Sequence, residues 1–239
     1  MRRLISIPIV HDEADLGMAG PTLLAETIRL AGSERWAAHQ ETLARYWTEI
    51  AAWLHALPAR QLRLYQDGLP VGGAMGQAVV DEAAHRGSRN YQLLRELVAQ
   101  GAELRAAEDP ELLWQERNHL VRKTSARPAR HELGTDRELP DSSSRGRLLR
   151  ARDAFIAGAI DRTLADGEIG VLFLGAEHRV TARLAPDIEV ETLKEPGLVR
   201  AYVHVLLRPG REKELARLAA YLASPIGRPA AGSTPTPDE

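Results

Sequence analysis

Five short stretches of the chain gather side chains that move protons, hold cations or receive anions. His11-Asp12-Glu13-Ala14-Asp15 places one imidazole and three carboxylates within five residues, a density suited to a divalent cation or to proton handling near neutral pH. Glu177-His178 follows the small pair Gly175-Ala176, where a slim backbone approaches a ligand closely and the imidazole serves as ligand or base. Arg152-Asp153 offers a guanidinium for an anionic group and a carboxylate to orient a neighbouring histidine. Asp67 opens the glycine-bearing turn Asp67-Gly68-Leu69-Pro70-Val71-Gly72-Gly73, and Glu82 shares a helical face with His85 at i, i+3. Each stretch also has a plainer reading as a helix cap, a turn or a surface ion pair. Chemistry is favoured by where these residues fall relative to the strands.

The apolar, β-branched run Leu4–Val10 predicts a strand buried on both faces that ends at His11. A long helix over Ser33–Leu57 follows, with Ser33 as N-cap and Pro58 as its stop. Gln61–Gln66 alternates as a second strand leading to Asp67. Helices are expected over Met75–His85 and Arg89–Gln100, a third strand over Ala102–Ala107 leading to Glu108, and a helix capped by Asp109 that runs to about Arg122. From Lys123 to Arg147 the apolar period vanishes, which predicts a mobile surface loop. Leu148–Leu164 regains helical spacing, with Arg152-Asp153 near its start. Val171–Leu174 reads as the most apolar, central strand, and Glu177-His178 lies just past it. Val180–Leu184 suggests a short helix, Ile188–Leu193 a strand, and Leu198–Leu207 and Arg211–Leu222 closing helices. Alternation through Val199, Ala201, Val203 and Val205 keeps a strand open as the alternative for Leu198–Leu207.

Strands alternating with helices predict an α/β fold: a mostly parallel sheet with helices on both faces, in a single domain over 1–225, followed by a disordered tail over 226–239. Ligands of such sheets bind beyond the carboxyl ends of the strands. His11, Asp67, Glu108 and Glu177-His178 all follow proposed strands, so one rule gathers them at one site.

With 31 Lys and Arg against 33 Asp and Glu, the chain has no global positive field to collect phosphate backbones, and nucleic acid is not an expected partner. Cysteine is absent, which removes disulfides, thiolate nucleophiles and Cys-type metal sites, so any metal must use His, Asp or Glu. The N-terminal run reads as a strand rather than a leader, and no stretch approaches the roughly 18 apolar residues of a membrane span, so a cytoplasmic protein without membrane contact is expected. Neither a Walker or Rossmann phosphate loop nor a Gly-x-Ser-x-Gly elbow occurs. Homo-oligomerisation stays open.

The segment from Arg152-Asp153 through Ile160-Asp161 and Leu164 to Gly167-Glu168-Ile169-Gly170-Val171-Leu172-Phe173-Leu174-Gly175-Ala176-Glu177-His178 resembles the C-terminal signature of the TraB/Tiki and erythromycin-esterase/ChaN-like superfamily. In that family an Arg-bearing helix precedes an apolar strand ending in Gly-x-x-His, then a short helix and a strand. The resemblance puts His11 in the place of the family's first active-site histidine, with Val10-His11-Asp12-Glu13 standing where the family has Gly-x-x-His or Gly-Glu-x-x-His. Asp67 and Glu82 take the place of its acidic residues. Its members include esterase-like and metal-dependent protease-like hydrolases and a haem-binding protein.

Residues and resemblance together lead to a hydrolase of a small molecule or peptide. His11 and His178 would face each other as catalytic residues or as ligands of a Mn or Zn ion. Glu13, Glu82 or Glu177 would activate water or bind metal, Arg152 would stabilise developing negative charge, and Asp15, Asp67 and Asp153 would bind ligand. The alternatives are a non-catalytic ligand-binding or regulatory module using the same cleft, or a scaffold using the Trp-bearing helix and the 123–147 loop.

Overall fold

The computed structural model of the chain describes residues 1–10, 28, 32–125, 141–208 and 210–227. Strands β1 (Arg2–Ile9), β2 (Leu62–Gln66), β3 (Glu103–Arg105), β4 (Ile169–Gly175) and β5 (Ile188–Thr192) form one sheet in the order β3-β2-β4-β1-β5. Every pairing is parallel; in register, Ile5 of β1 meets Val171 of β4, and Val171 meets Leu64 of β2. Helices α1 (Ser33–Leu54), α2 (Gly73–His85), α3 (Arg89–Ala99), α4 (Pro110–Ser125), α5 (Asp141–Thr163), α6 (Pro196–Leu206) and α7 (Glu212–Leu222) connect and follow the strands. This is an α/β fold with a parallel sheet.

The strand period of two decides which side chain enters which layer. Ile5, Ile7, Val171 and Phe173 share one core with Trp47 and Ile50 of α1, Leu94 and Leu97 of α3 and Tyr202 of α6. Leu4, Leu172 and Leu174 point the other way, into a core with Ile156 and Ile160 of α5 and with Val180. Central strands buried on both faces therefore read as unbroken apolar runs.

Most elements fall within a few residues of their sequence-based bounds. The α1 helix ends at Leu54, three residues earlier than expected, and a 3₁₀ turn over Ala59–Gln61 carries the chain into β2. The alternation in Leu198–Leu207 yields to a helix because Glu195 caps it, its carboxylate accepting from the Gly197 N–H at 3.3 Å, with Pro196 in the first turn. The loop expected over 123–147 is corrected at both ends. The α4 helix runs to Ser125 and α5 starts at Asp141; the polar residues between Pro140 and Leu148 contain no further proline, and the helix extends through them, Gly146 included, without an apolar stripe. Residues 126–140, most of the 226–239 tail and the stretch 11–27 lie outside the described residues. Among those described, no helix is long and apolar enough to cross a membrane.

The two outer strands differ from the inner ones. β3 has three residues, and β5 sets Glu189 and Glu191 in a largely exposed row, Glu191 pairing with Arg3 of β1.

Candidate functional site

The neighbouring strands β2 and β4 send the chain to opposite faces of the sheet. After β2, α2 and α3 contribute Val80, Leu93 and Leu94 to the first core; after β4, a 3₁₀ turn over Val180–Arg183 places Val180 in the second. Their diverging exits open a crevice at the carboxyl edge, the position where such sheets bind ligands. A cavity of about 620 Å³ lies there, its polar wall including Asp67, Glu116, Arg152, Glu177 and His178. That volume falls in the range of small-molecule sites, about 300–1,000 Å³.

Arg152 and Asp153 come from the middle of α5 rather than near its start. At i+3 and i+4 from Leu149 and ahead of Ile156 and Ile160, they occupy the helix's inward stripe, where apolar residues would normally stand. Both are buried. The Arg152 guanidinium binds three carboxylates from three elements: Asp67 past β2, with Nη2 2.6 Å from Oδ1; Glu108 past β3, through Nε at 3.2 Å and also Nη2; and Glu116 of α4. Glu108 is wholly buried and also accepts from the Gly68 N–H at 3.3 Å. Gly68 makes this turn at φ 80°, a left-handed conformation that costs glycine nothing. Burial raises the Glu108 carboxyl above its ordinary pKa, and contact with Arg152 offsets only part of that rise.

Asp153 turns from the same helix to His178. Its Oδ1 lies 2.7 Å from the imidazole Nδ1, and its Oδ2 accepts from the Arg179 N–H at 3.2 Å. Across the ring, Nε2 lies 3.5 Å from Asp67 Oδ2, a charge contact too long for a good hydrogen bond. Asp67 Oδ2 is itself fixed by the Gly175 N–H at 2.8 Å. Burial alone would lower the His178 pKa; the Asp153 hydrogen bond and the Asp67 charge overcome it and raise the pKa above 6.5. Beside it, Glu177 is exposed at the cavity wall and has no hydrogen-bond or ion-pair partner among the described residues.

The structure thus brings Asp67, Arg152, Asp153, Glu177 and His178 together. Glu82 is not among them: it pairs with Arg86 at 2.8 Å on the exposed side of α2, because the i, i+4 partner one turn on faces solvent with it. His11, Glu13 and Asp15 lie outside the described residues, although Val10 lines the cavity. The sequence-based site lacked Glu116, whose signal was its place on the same helical face as Leu112 and Leu113, about two turns inward from the Asp109 cap. It also lacked Arg145, Arg200 and His204, cavity residues that belong to helices and so escape a rule built on strand ends.

A divalent ion of the Mn or Zn kind needs several free lone pairs converging on one point. Here Asp67, Glu108 and Glu116 are turned to Arg152, while His178, held at Nδ1 by Asp153, keeps Nε2 as its atom that could ligate an ion. Among the described residues no group of three or more His, Asp or Glu is placed to hold a metal. His11, the other expected ligand, lies outside the described residues.

Comparison of the chain with protein-family models, curated proteins and solved structures finds no match in any of the three.

Proposed function

We propose that the protein is a hydrolase of a small molecule or peptide, with His178 as the proton-transferring group of the cavity. The observation that supports this most directly is the Asp153–His178–Asp67 chain, in which a buried imidazole is gripped at Nδ1 and leaves Nε2 without a close hydrogen-bond partner beside a cavity. A histidine held this way keeps its proton to higher pH than a free one, which suits a general acid.

The assignment of roles follows from partner saturation. Glu177, adjacent and unpaired, is the base that takes a proton from water. His178 Nε2 gives its proton to the leaving group, and Asp153 fixes the ring and stabilises the imidazolium. Arg152 is better suited to positioning Asp67, Glu108 and Glu116 than to stabilising new charge, since its donors are committed to three carboxylates.

Ester, amide and phosphoester panels assayed with wild type, His178→Ala and Glu177→Gln, each with and without Mn²⁺ or Zn²⁺, test the reading. Turnover by wild type that falls about 10²–10⁴-fold in both variants is expected, the usual contribution of a positioned acid or base. Full activity in both variants refutes it.

The binding-module reading draws on a separate observation: three carboxylates saturated by one arginine form a stable framework whether or not anything is cleaved. A ligand that binds wild type without being turned over, and no longer binds His178→Ala, selects that reading.

A further inference from the structure

The cavity has two electrostatic levels. Its floor carries Asp67 and Glu116, with Glu108 and Asp153 buried behind Arg152 and His178, an excess of carboxylates. Its sides carry the opposite sign: Arg145 from α5, and Arg200 and His204 one turn apart on α6. None of the three has a carboxylate partner among the described residues. Most of the chain's buried or half-buried arginines near an acid are paired, as Arg2 is with Asp161 and Asp187 and Arg63 with Glu168. Arg200 differs: its Nη1 donates to the carbonyl of Ala176, two residues before His178. This contact fixes the guanidinium against the loop that carries the imidazole and uses one of its five N–H donors. Between the charged sides lie Val10, Leu113, Leu149 and Val203.

The geometry points to an anion subsite formed by Arg200 and Arg145, with His204 beside them, for a carboxylate or phosphate group on the ligand. This rests on the cavity being the functional site and deepens the hydrolase reading by naming its substrate class: an anionic compound with an apolar middle. The carboxylate-rich floor repels the anionic head, and the arginines hold it at the sides. The two forces act in one direction, so the ligand enters with its neutral, scissile part toward His178 and Glu177. A guanidinium fork already fixed at one N–H loses little freedom on meeting a carboxylate or phosphate.

The test uses the full chain and two kinds of readout. Calorimetric titration with succinate and with inorganic phosphate reads the subsite without catalysis and separates the two anion sources. Hydrolysis of mono-4-nitrophenyl succinate against neutral 4-nitrophenyl acetate reads its use by the enzyme. Wild type binds one of the anions and prefers the anionic ester. Arg200→Gln or Arg145→Gln weakens that binding, and raises KM for the anionic ester, by about tenfold or more with little change in kcat, the scale of hydrogen bonds to a charged group. KM for the neutral ester stays put. Arg183→Gln, which removes an exposed arginine outside the cavity, leaves both readouts unchanged. Arg145, which has no hydrogen bond or ion pair with the His178 loop among the described residues, separates anion binding from any loosening of that loop in Arg200→Gln. Anion binding that persists without any ester hydrolysis removes the hydrolase reading and keeps the subsite. Hydrolysis without preference for the anionic ester, no binding of either anion, or affinities within twofold of wild type in the double variant overturns the subsite.

Discussion

Replacing Arg152 with methionine keeps much of its volume and removes the charge that three carboxylates share. The side chain is 5% exposed, and its partners Glu108, Asp67 and Glu116 are 0%, 12% and 26% exposed. Removing one member of a buried ionic cluster costs about 3–5 kcal/mol, because the remaining charges stay out of water without compensation. For a chain of this size each kcal/mol lowers Tm by about 2–4 °C, so Arg152→Met should melt about 6–20 °C below wild type at pH 7. The deficit should depend on pH. Burial already raises the Glu108 pKa above 4.5, and loss of the Arg152 contact raises it further. A carboxyl raised in the folded state favours folding fully below its unfolded pKa, and that contribution is lost as pH rises through the folded value. The gap between variant and wild type should therefore narrow as pH falls from 7 toward 5. Urea unfolding followed by circular dichroism at both pH values measures it, and adding Glu108→Gln to Arg152→Met should recover part of the loss at pH 7. A loss below about 1 kcal/mol at pH 7, or an equal gap at both pH values, would refute the reasoning.

Other expectations bear on the site and on the frame that holds it. Asp153→Asn removes the hydrogen bond that keeps the His178 pKa high, so the alkaline limb of kcat/KM, where the acid loses its proton, should move to lower pH; an NMR titration of His178 should move with it. His39, buried beside Tyr202 with its Nδ1 2.8 Å from the hydroxyl, has its pKa lowered to about 4, by burial first and then by Arg89. A lowered histidine favours folding above 6.5 and loses that contribution as pH falls toward 4. His39→Gln should therefore remove about 3 kcal/mol of acid sensitivity between those values, seen in urea midpoints at pH 7 and 4.5. Gly76→Ala should destabilise by about 1–3 kcal/mol although alanine is the better helix former; its Cβ would lie 2.6 Å from the Val71 carbonyl oxygen and 2.9 Å from Leu104 Cδ2, and thermal melts decide the sign. Glu82→Gln should leave turnover unchanged in the same assays that expose His178→Ala.

Local signals carried the fold well. The apolar runs around Ile5 and Val171 suited strands buried on both faces, and the strand-end rule then brought Asp67 and His178 to one edge. Less legible was what depends on tertiary partners. Whether Arg152 was a surface ion pair or a buried hub turned on its neighbours, although a charged pair set inside the stripe Leu149–Ile156–Ile160 was a usable sign. Glu82 and His85 matched a metal-binding spacing as well as any pair in the chain, yet spacing alone does not say which way a helix face turns. The polar start of α5 shows no apolar period because it packs little, so composition could not distinguish it from a loop.

The glutamates of β5 bear on assembly. An outermost strand in a parallel sheet offers unpaired backbone groups to any passing strand, including the same strand of a second copy. Two copies meeting through β5 would set Glu189 and Glu191 against Glu189 and Glu191, and like charges opposed across paired strands push them apart. At the other margin, β3 is three residues long and gives a newcomer little to grip. The described edges of the sheet are therefore guarded against growing sideways into filaments.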